Sequence, residues 1–261
     1  MIIRLFNFLH PLVIDVDSSS SSSSEVFSYS SVSSWSLSSE SSWSTPSSLS
    51  SSSSSSDSSK SSPSSITAVA STVAGSTTAG TSLVINRPTY QTGDIIVIAV
   101  NYRNAGDIAS ITGFTKVYGG SGQSTYNGAL FYKVGGSSEP ASYTINLSSS
   151  VVALAVAATF RNSTGADGSN SGTAAGDISA SVTTTTAGCL MIAAAGANVN
   201  SATTFASTDM DEVNQHNIGS NANNMGTLGL FDCQLSGSGA SGGKVITSGE
   251  ASWWCVLALK R

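Results

Sequence analysis

Gly93-Asp-Ile-Ile-Val-Ile-Ala-Val100 reads as the central strand of this chain. A Gly-Asp turn is followed by six apolar residues without a break, most of them β-branched. A short unbroken run of this kind marks a strand buried on both faces. The run has an echo in Ala187-Gly-Cys-Leu-Met-Ile-Ala-Ala-Ala195, and the two leading glycines, Gly93 and Gly188, lie 95 positions apart. A second pair of runs repeats at a similar offset. Val151–Arg161 is answered by Ser252–Lys260, whose closing basic residues are 99 positions apart. A period this long among short apolar runs predicts two similar halves of one β-domain rather than a short-repeat solenoid.

Working outward, the first half predicts strands at Leu83–Arg87, Phe114–Tyr118, Ala129–Val134, Ser142–Leu147 and Val151–Phe160. The second predicts Ser179–Thr186, Cys189–Ala195, Thr208–Val213, Gly226–Cys233, Lys244–Thr247 and Trp253–Leu259. Gly, Asn and Ser turns separate them, which spells a sandwich or barrel. In Val151–Phe160, Val152, Leu154, Val156 and Phe160 share one face, and Ala153, Ala155 and Ala157 share the other. That division suits a strand between a core and a close-packed neighbour. Trp253 and Trp254 point to opposite faces, so at least one ring belongs to the core. The expected fold is an all-β antiparallel sandwich or barrel over residues 66–261, with similar halves at about 83–161 and 179–261.

Charged residues make up 10% of the 261 positions, against about 25% in an average soluble domain. Helix-forming Glu, Lys and Leu are scarce in the body. The net charge is −5 and the 10 Lys and Arg residues are scattered, which argues against nucleic acid as a partner. Cys189, Cys233 and Cys255 lie in apolar runs without metal-site spacing, and are read as buried free thiols.

The N-terminal quarter is of another kind. Residues 1–17 hold Ile2, Ile3, Leu5, Phe6, Phe8, Leu9, Leu12, Val13 and Ile14, interrupted by Asn7, His10 and Pro11. The interruptions and the lack of a small-residue cleavage site weaken a signal-peptide reading, and the stretch is too short and broken to span a bilayer. The preferred reading is a peptide that docks on a larger assembly. Residues 18–65 are a serine tract, 48 residues long, predicted to be a disordered linker of roughly 40 Å average span. Phe27, Tyr29, Trp35, Leu37 and Trp43 punctuate it, either as points that order against a partner or another copy, or as incidental residues of a linker.

Chemical motifs are few. Gly237-Ser-Gly-Ala-Ser-Gly242 matches the dinucleotide fingerprint, but a strand-like Lys244-Val-Ile-Thr247 follows where a helix is required. His216 stands near Asp209, Asp211 and Glu212 in what reads as a solvated acidic loop rather than a metal site. No Ser–His–Asp triad and no glycosidase-like carboxylate pair stands out, so no catalytic residue, metal or cofactor is assigned. Tyr118, Tyr126, Asn127, His216, Asn217, Asn221, Asn223 and Asn224 gather in predicted loops. Flat rings and amides suit sugar recognition, although Asn favours turns in any case.

Four stretches together resemble a known family: Gly93-Asp94 before the apolar strand, Phe131-Tyr132-Lys133-Val134, Glu139-Pro140-Ala141-Ser142-Tyr143, and Ala251-Ser252-Trp253. Over roughly Leu83–Arg261 the chain is similar to a β-sandwich domain of tailed-bacteriophage virion proteins that also occurs in some secreted bacterial proteins. Phe114 stands where that family often has Trp. The matched positions are framework positions there, so the resemblance implies no catalytic residues. It implies a jelly-roll-like sandwich in a tail fibre, head fibre or other adhesive appendage. With the free thiols, which fit assembly in a reducing host cytoplasm, and the docking peptide, the expectation is a homo-oligomer docked on other virion proteins and facing a host surface, where glycan is one candidate ligand. The alternative is a secreted carbohydrate-binding module, and an enzyme such as a depolymerase comes third.

Overall fold

A computed structural model describes residues 64–103, 108–119, 127–197, 204–218, 226–250 and 252–261. The docking residues 2–14, the serine tract to residue 63, and Tyr126, Asn221, Asn223 and Asn224 lie outside them.

The first half folds into one antiparallel sheet of β1 (Thr67–Asn86), β2 (Ile95–Tyr102), β3 (Ile108–Ile111), β4 (Thr115–Gly119), β5 (Asn127–Val134) and β6 (Ser142–Arg161). Its order is β1-β6-β2-β5-β4, with β3 also on β6. The second half supplies β7 (Gly165–Ala174), β8 (Ile178–Ala180), β9 (Thr183–Thr184), β10 (Leu190–Ala197), β11 (Asp211–Ile218), β12 (Gly226–Gln234), β13 (Gly239–Ala240), β14 (Lys244–Ile246) and β15 (Ser252–Lys260). Its main sheet is ordered β7-β15-β10-β12-β11. Strand for strand this is the order of the first sheet.

The correspondence reaches single residues. Ile95 pairs with Val134 and Phe160, as Leu190 pairs with Gln234 and Leu259. β4 slips register between Lys116 and Tyr118 against β5, and β11 slips between Glu212 and Asn214 against β12. Gly93 and Gly188 both take positive φ, 93° and 73°, a backbone state that costs glycine no Cβ clash. The matching also extends further out than the apolar runs predict, to Thr67 and Gly165, which pair with Arg161 and Lys260.

The two sheets pack face to face. β2 contributes Ile95, Val97 and Ala99 to the shared core, β6 contributes Leu154, Val156, Ala158 and Phe160, and β10 contributes Leu190, Ile192 and Ala194. Even-numbered residues of β2 face the other way. There the C-terminal part of β1 and the N-terminal part of β6 fold back over the sheet, and Leu83, Ile85, Tyr143 and Ile145 cover Ile96, Ile98 and Val100. This explains why the whole of β2 is buried. The second half closes its outer face in the same manner, with Ile178, Ala180 and Ile246 over Met191, Ala193 and Val256. Here the long ribbon is broken into β7 and β8, and into β14 and β15.

β2 and β10 run in the same direction, because Asn101 Nδ2 near the end of β2 donates to the carbonyls of Ala197 (3.0 Å) and Thr227 (3.2 Å). With identical strand orders, parallel central strands and β1 set against β11, an approximate two-fold rotation about an axis along the strands relates the halves. The sandwich therefore has a base, where Ile66, Arg161, Gly93, Gly188 and Lys260 lie. Its opposite tip holds Tyr102, Asn127, Ala197, Thr227 and Ser252. Among the described residues no helix is long and apolar enough to cross a membrane.

Candidate functional site

The two-fold arrangement leaves two seams, each where an edge strand of one sheet meets an edge strand of the other, and each seam carries a groove. The larger, about 500 Å³, lies between β1 and β11 and is lined by Ile66–Ser71, Leu190, Asp211, Val213, Asp232 and Gln234. Its counterpart, about 290 Å³, lies between β4 and β7 and is lined by Thr115, Lys116, Val117, Tyr132, Ala166, Asp167, Ser169 and Leu257. Thr115 is directly paired with Tyr132, as Asp211 is with Asp232. One fold position has thus become aromatic and hydroxylic in one seam and acidic in the other.

In the acidic groove, burial pushes the Asp232 carboxyl up to about 6, and the charge of Asp211 opposite adds to the rise. Like charges directly opposed across a strand pair destabilise it. No cluster of three or more His, Cys, Asp or Glu able to hold a metal is found among the described residues.

The base is held by ionised side chains. Asp94 accepts from Arg161 Nε (3.1 Å) and Nη2 (2.9 Å), and from the Gln91 amide (2.7 Å). Burial pulls its pKa upward, but those donors outweigh it and leave the carboxyl below the usual range. The second half has Cys189 at the place of Asp94. Its carboxylate comes instead from β7: Asp167 accepts from the amides of Thr185 (2.6 Å) and Thr186 (3.1 Å) and from both threonine hydroxyls. Glu139 takes the Lys133 ammonium at 2.8 Å and the Tyr143 hydroxyl at 3.1 Å, which pins the folded-back ribbon of the first half. All three cysteines are free thiols. Burial raises the pKa of each.

The residues proposed for sugar contact are not in loops where the structure describes them. Tyr118 is in β4 and stacks on Trp253, with centroids 6.0 Å apart and planes 22° apart. Asn127 opens β5 and is 1% exposed. His216 and Asn217 belong to β11, a strand the polar sequence disguises. His216 packs beside Gly75 of β1 at the seam, and burial lowers its pKa. Asn217 Nδ2 donates to Thr227 Oγ1 at 2.7 Å. These four side chains serve packing or strand pairing: the loop assignment is corrected for Asn127, His216 and Asn217, while Tyr118 falls in the strand predicted at Phe114–Tyr118. Tyr132 is the groove residue that sequence reading passed over. It sits in a framework stretch, and only the pairing with Thr115 and the approach of β7 turn it into a wall.

No protein-family model matches the chain, and neither a curated protein nor a solved structure does.

Proposed function

We propose that this chain is a structural and adhesive component of a phage virion, a fibre-like appendage that docks by residues 1–17 and presents its sandwich to a host surface. The observation that carries the reading is the polarity of the sandwich. The serine-rich sequence joins it at Ile66, at the base, since Thr67 pairs with Arg161. The connections between β2 and β3, β4 and β5, β10 and β11, and β11 and β12 all leave from the opposite tip. A head attached at one end, with these four connections leaving from the other, suits presentation on a tether. The four framework stretches that resemble phage virion sandwiches support the same reading.

The apolar residues from Ile2 to Ile14 would be buried on the particle, each contributing roughly 1.5–3 kcal/mol less the cost of ordering the peptide. Deleting residues 1–17 is expected to leave a folded head that no longer joins particles. N-terminal sequencing of the natural product checks this. A chain that begins at Met1 and co-purifies with virions supports the appendage, whereas a cleaved chain free in the medium overturns it in favour of a secreted sugar-binding module.

A further inference from the structure

We infer that the groove between β4 and β7 is a saccharide site, in which a sugar ring lies on Tyr132 and its hydroxyls are taken by Thr115 and Ser169. The inference rests on the glycan-facing reading above and places the contact at a seam. Tyr132 is half-buried and packs against the shared core, so its ring is held in place. Thr115 is its direct partner on β4. Ser169 reaches the groove from β7, opposite Leu257, and Val117, Ala166 and Leu257 supply an apolar floor. A fixed aromatic wall, an apolar floor and flanking hydroxyls match the two-sided chemistry of a sugar, whose C–H face stacks on a ring while its edge forms hydrogen bonds. Asp167 also lines the groove, but the amides and hydroxyls of Thr185 and Thr186 already occupy its oxygens. Lys116 lines the groove as well, so the hydroxyls of Tyr132, Thr115 and Ser169 beside one ammonium set selectivity. The volume of about 290 Å³ is at the small end for ligand sites, which fits one or two sugar units rather than a buried chain. The twin groove is the internal control, for it is built from the equivalent strands but carries Asp232 and Asp211 in place of the ring and the hydroxyl.

The test is saturation-transfer NMR on the full chain with the methyl glycosides of glucose, galactose, mannose, rhamnose and N-acetylglucosamine at millimolar concentration. At least one is expected to show transfer. Tyr132→Ala should weaken it about tenfold or more, Tyr132→Phe should keep it within about threefold, and Asp232→Asn should leave it unchanged. Because Tyr132→Ala could unfold the chain, Ser169→Gln on the exposed edge strand provides a second arm by filling the groove from the other side, and it too should weaken transfer about tenfold or more. No transfer from any glycoside, or transfer untouched by Ser169→Gln in a folded chain, overturns the site. A virion-associated chain that binds no sugar removes this site alone; a sugar-binding chain never found on particles removes the appendage alone.

Discussion

Asp232 and Asp211 face each other across β11 and β12 at the mouth of the acidic groove. The folded pKa of Asp232, about 6, lies above the unfolded value near 3.9. Its contribution is therefore most favourable below about pH 4 and is lost as pH rises through 6. Part of the shift is screened by solvent at this half-buried site, which leaves an effect of about 1–2 kcal/mol. Asp94, Glu139 and Asp167 have lowered pKa values, and they act in the opposite sense, withdrawing stability as pH falls below the usual carboxylate range. Urea denaturation across pH should show greatest stability near pH 5. Asp232→Asn should stabilise the chain by about 1 kcal/mol at pH 7.5 and give no gain at pH 4. An equal gain at both pH values would show that charge is not the cause.

Trp253 poses the sharpest packing problem at the same scale. It is fully buried, donates its indole N–H to Asn101 Oδ1 at 2.8 Å, and lies where a Cβ on Gly128 or Gly196 would overlap its ring. Gly128 and Gly196 are thus fixed by close approach. Trp253→Ala should cost about 3–5 kcal/mol, since it opens a cavity and strips Asn101 of a partner. Gly128→Ala should cost about 2–3 kcal/mol through overpacking. Denaturant midpoints check both, and a cost below about 1 kcal/mol for Gly128→Ala would mean that the ring moves freely.

Among the elements, what could be read from sequence divides by position in the sheet. β2, β5, β6, β10, β12 and β15 are interior strands with apolar runs, and each falls within a residue or a few of its predicted span. β6 joins two predicted strands, Ser142–Leu147 and Val151–Phe160, into one ribbon that bends at the tip. The edges were harder. The N-terminal part of β1 and all of β7 are made of Ala, Gly, Ser, Thr and Asn, and no apolar period marks them because a seam strand needs small side chains more than large ones. At the β1–β11 seam the contact is Asn214 Nδ2 to Ser71 Oγ at 2.8 Å, with Gly75 against Ile218 and His216. β11 was displaced in the sequence reading, to Thr208–Val213, because its Asn, Gln and His read as loop. Gly75→Val should wedge this seam and cost about 1–3 kcal/mol, while Asn214→Ala should cost about 1 kcal/mol. Hydrogen exchange should locate the loss in β1 and β11. Protection that falls evenly over both sheets would show that the seam is not a local unit.

For the whole molecule, the 95-residue echo was legible because Gly93 and Gly188 open equivalent strands. That each half keeps to its own sheet was not, since strand pairing across 60 or more residues leaves no local signature. The sheets are alike in path but complementary in filling. Leu154, Asn101 and Gly128 form one rung of the first sheet. Trp253, Gly196 and Leu228 form the matching rung of the second. The large ring of one rung fits over the glycine of the other, and Asn101 accepts the indole proton. Each half alone would expose the face that now forms the shared core, including Val97, Leu154, Val156 and Phe160 on one side and Ile192, Leu230, Leu257 and Leu259 on the other. Neither should remain soluble by itself, for an exposed apolar sheet face is an association surface. Self-pairing differs between them. Two second halves would drive Trp253 into Leu228, whereas two first halves would set Leu154 over Gly128, leaving a gap and Asn101 without its indole donor. Residues 64–161 and 162–261 expressed separately should therefore aggregate or, for the first half only, form a weak homodimer. Co-expression should restore a soluble one-to-one complex with the circular dichroism of the intact sandwich. A soluble, monomeric first half with native dichroism would overturn the complementary-rung argument, because it would show that the shared core is not what holds the sheet.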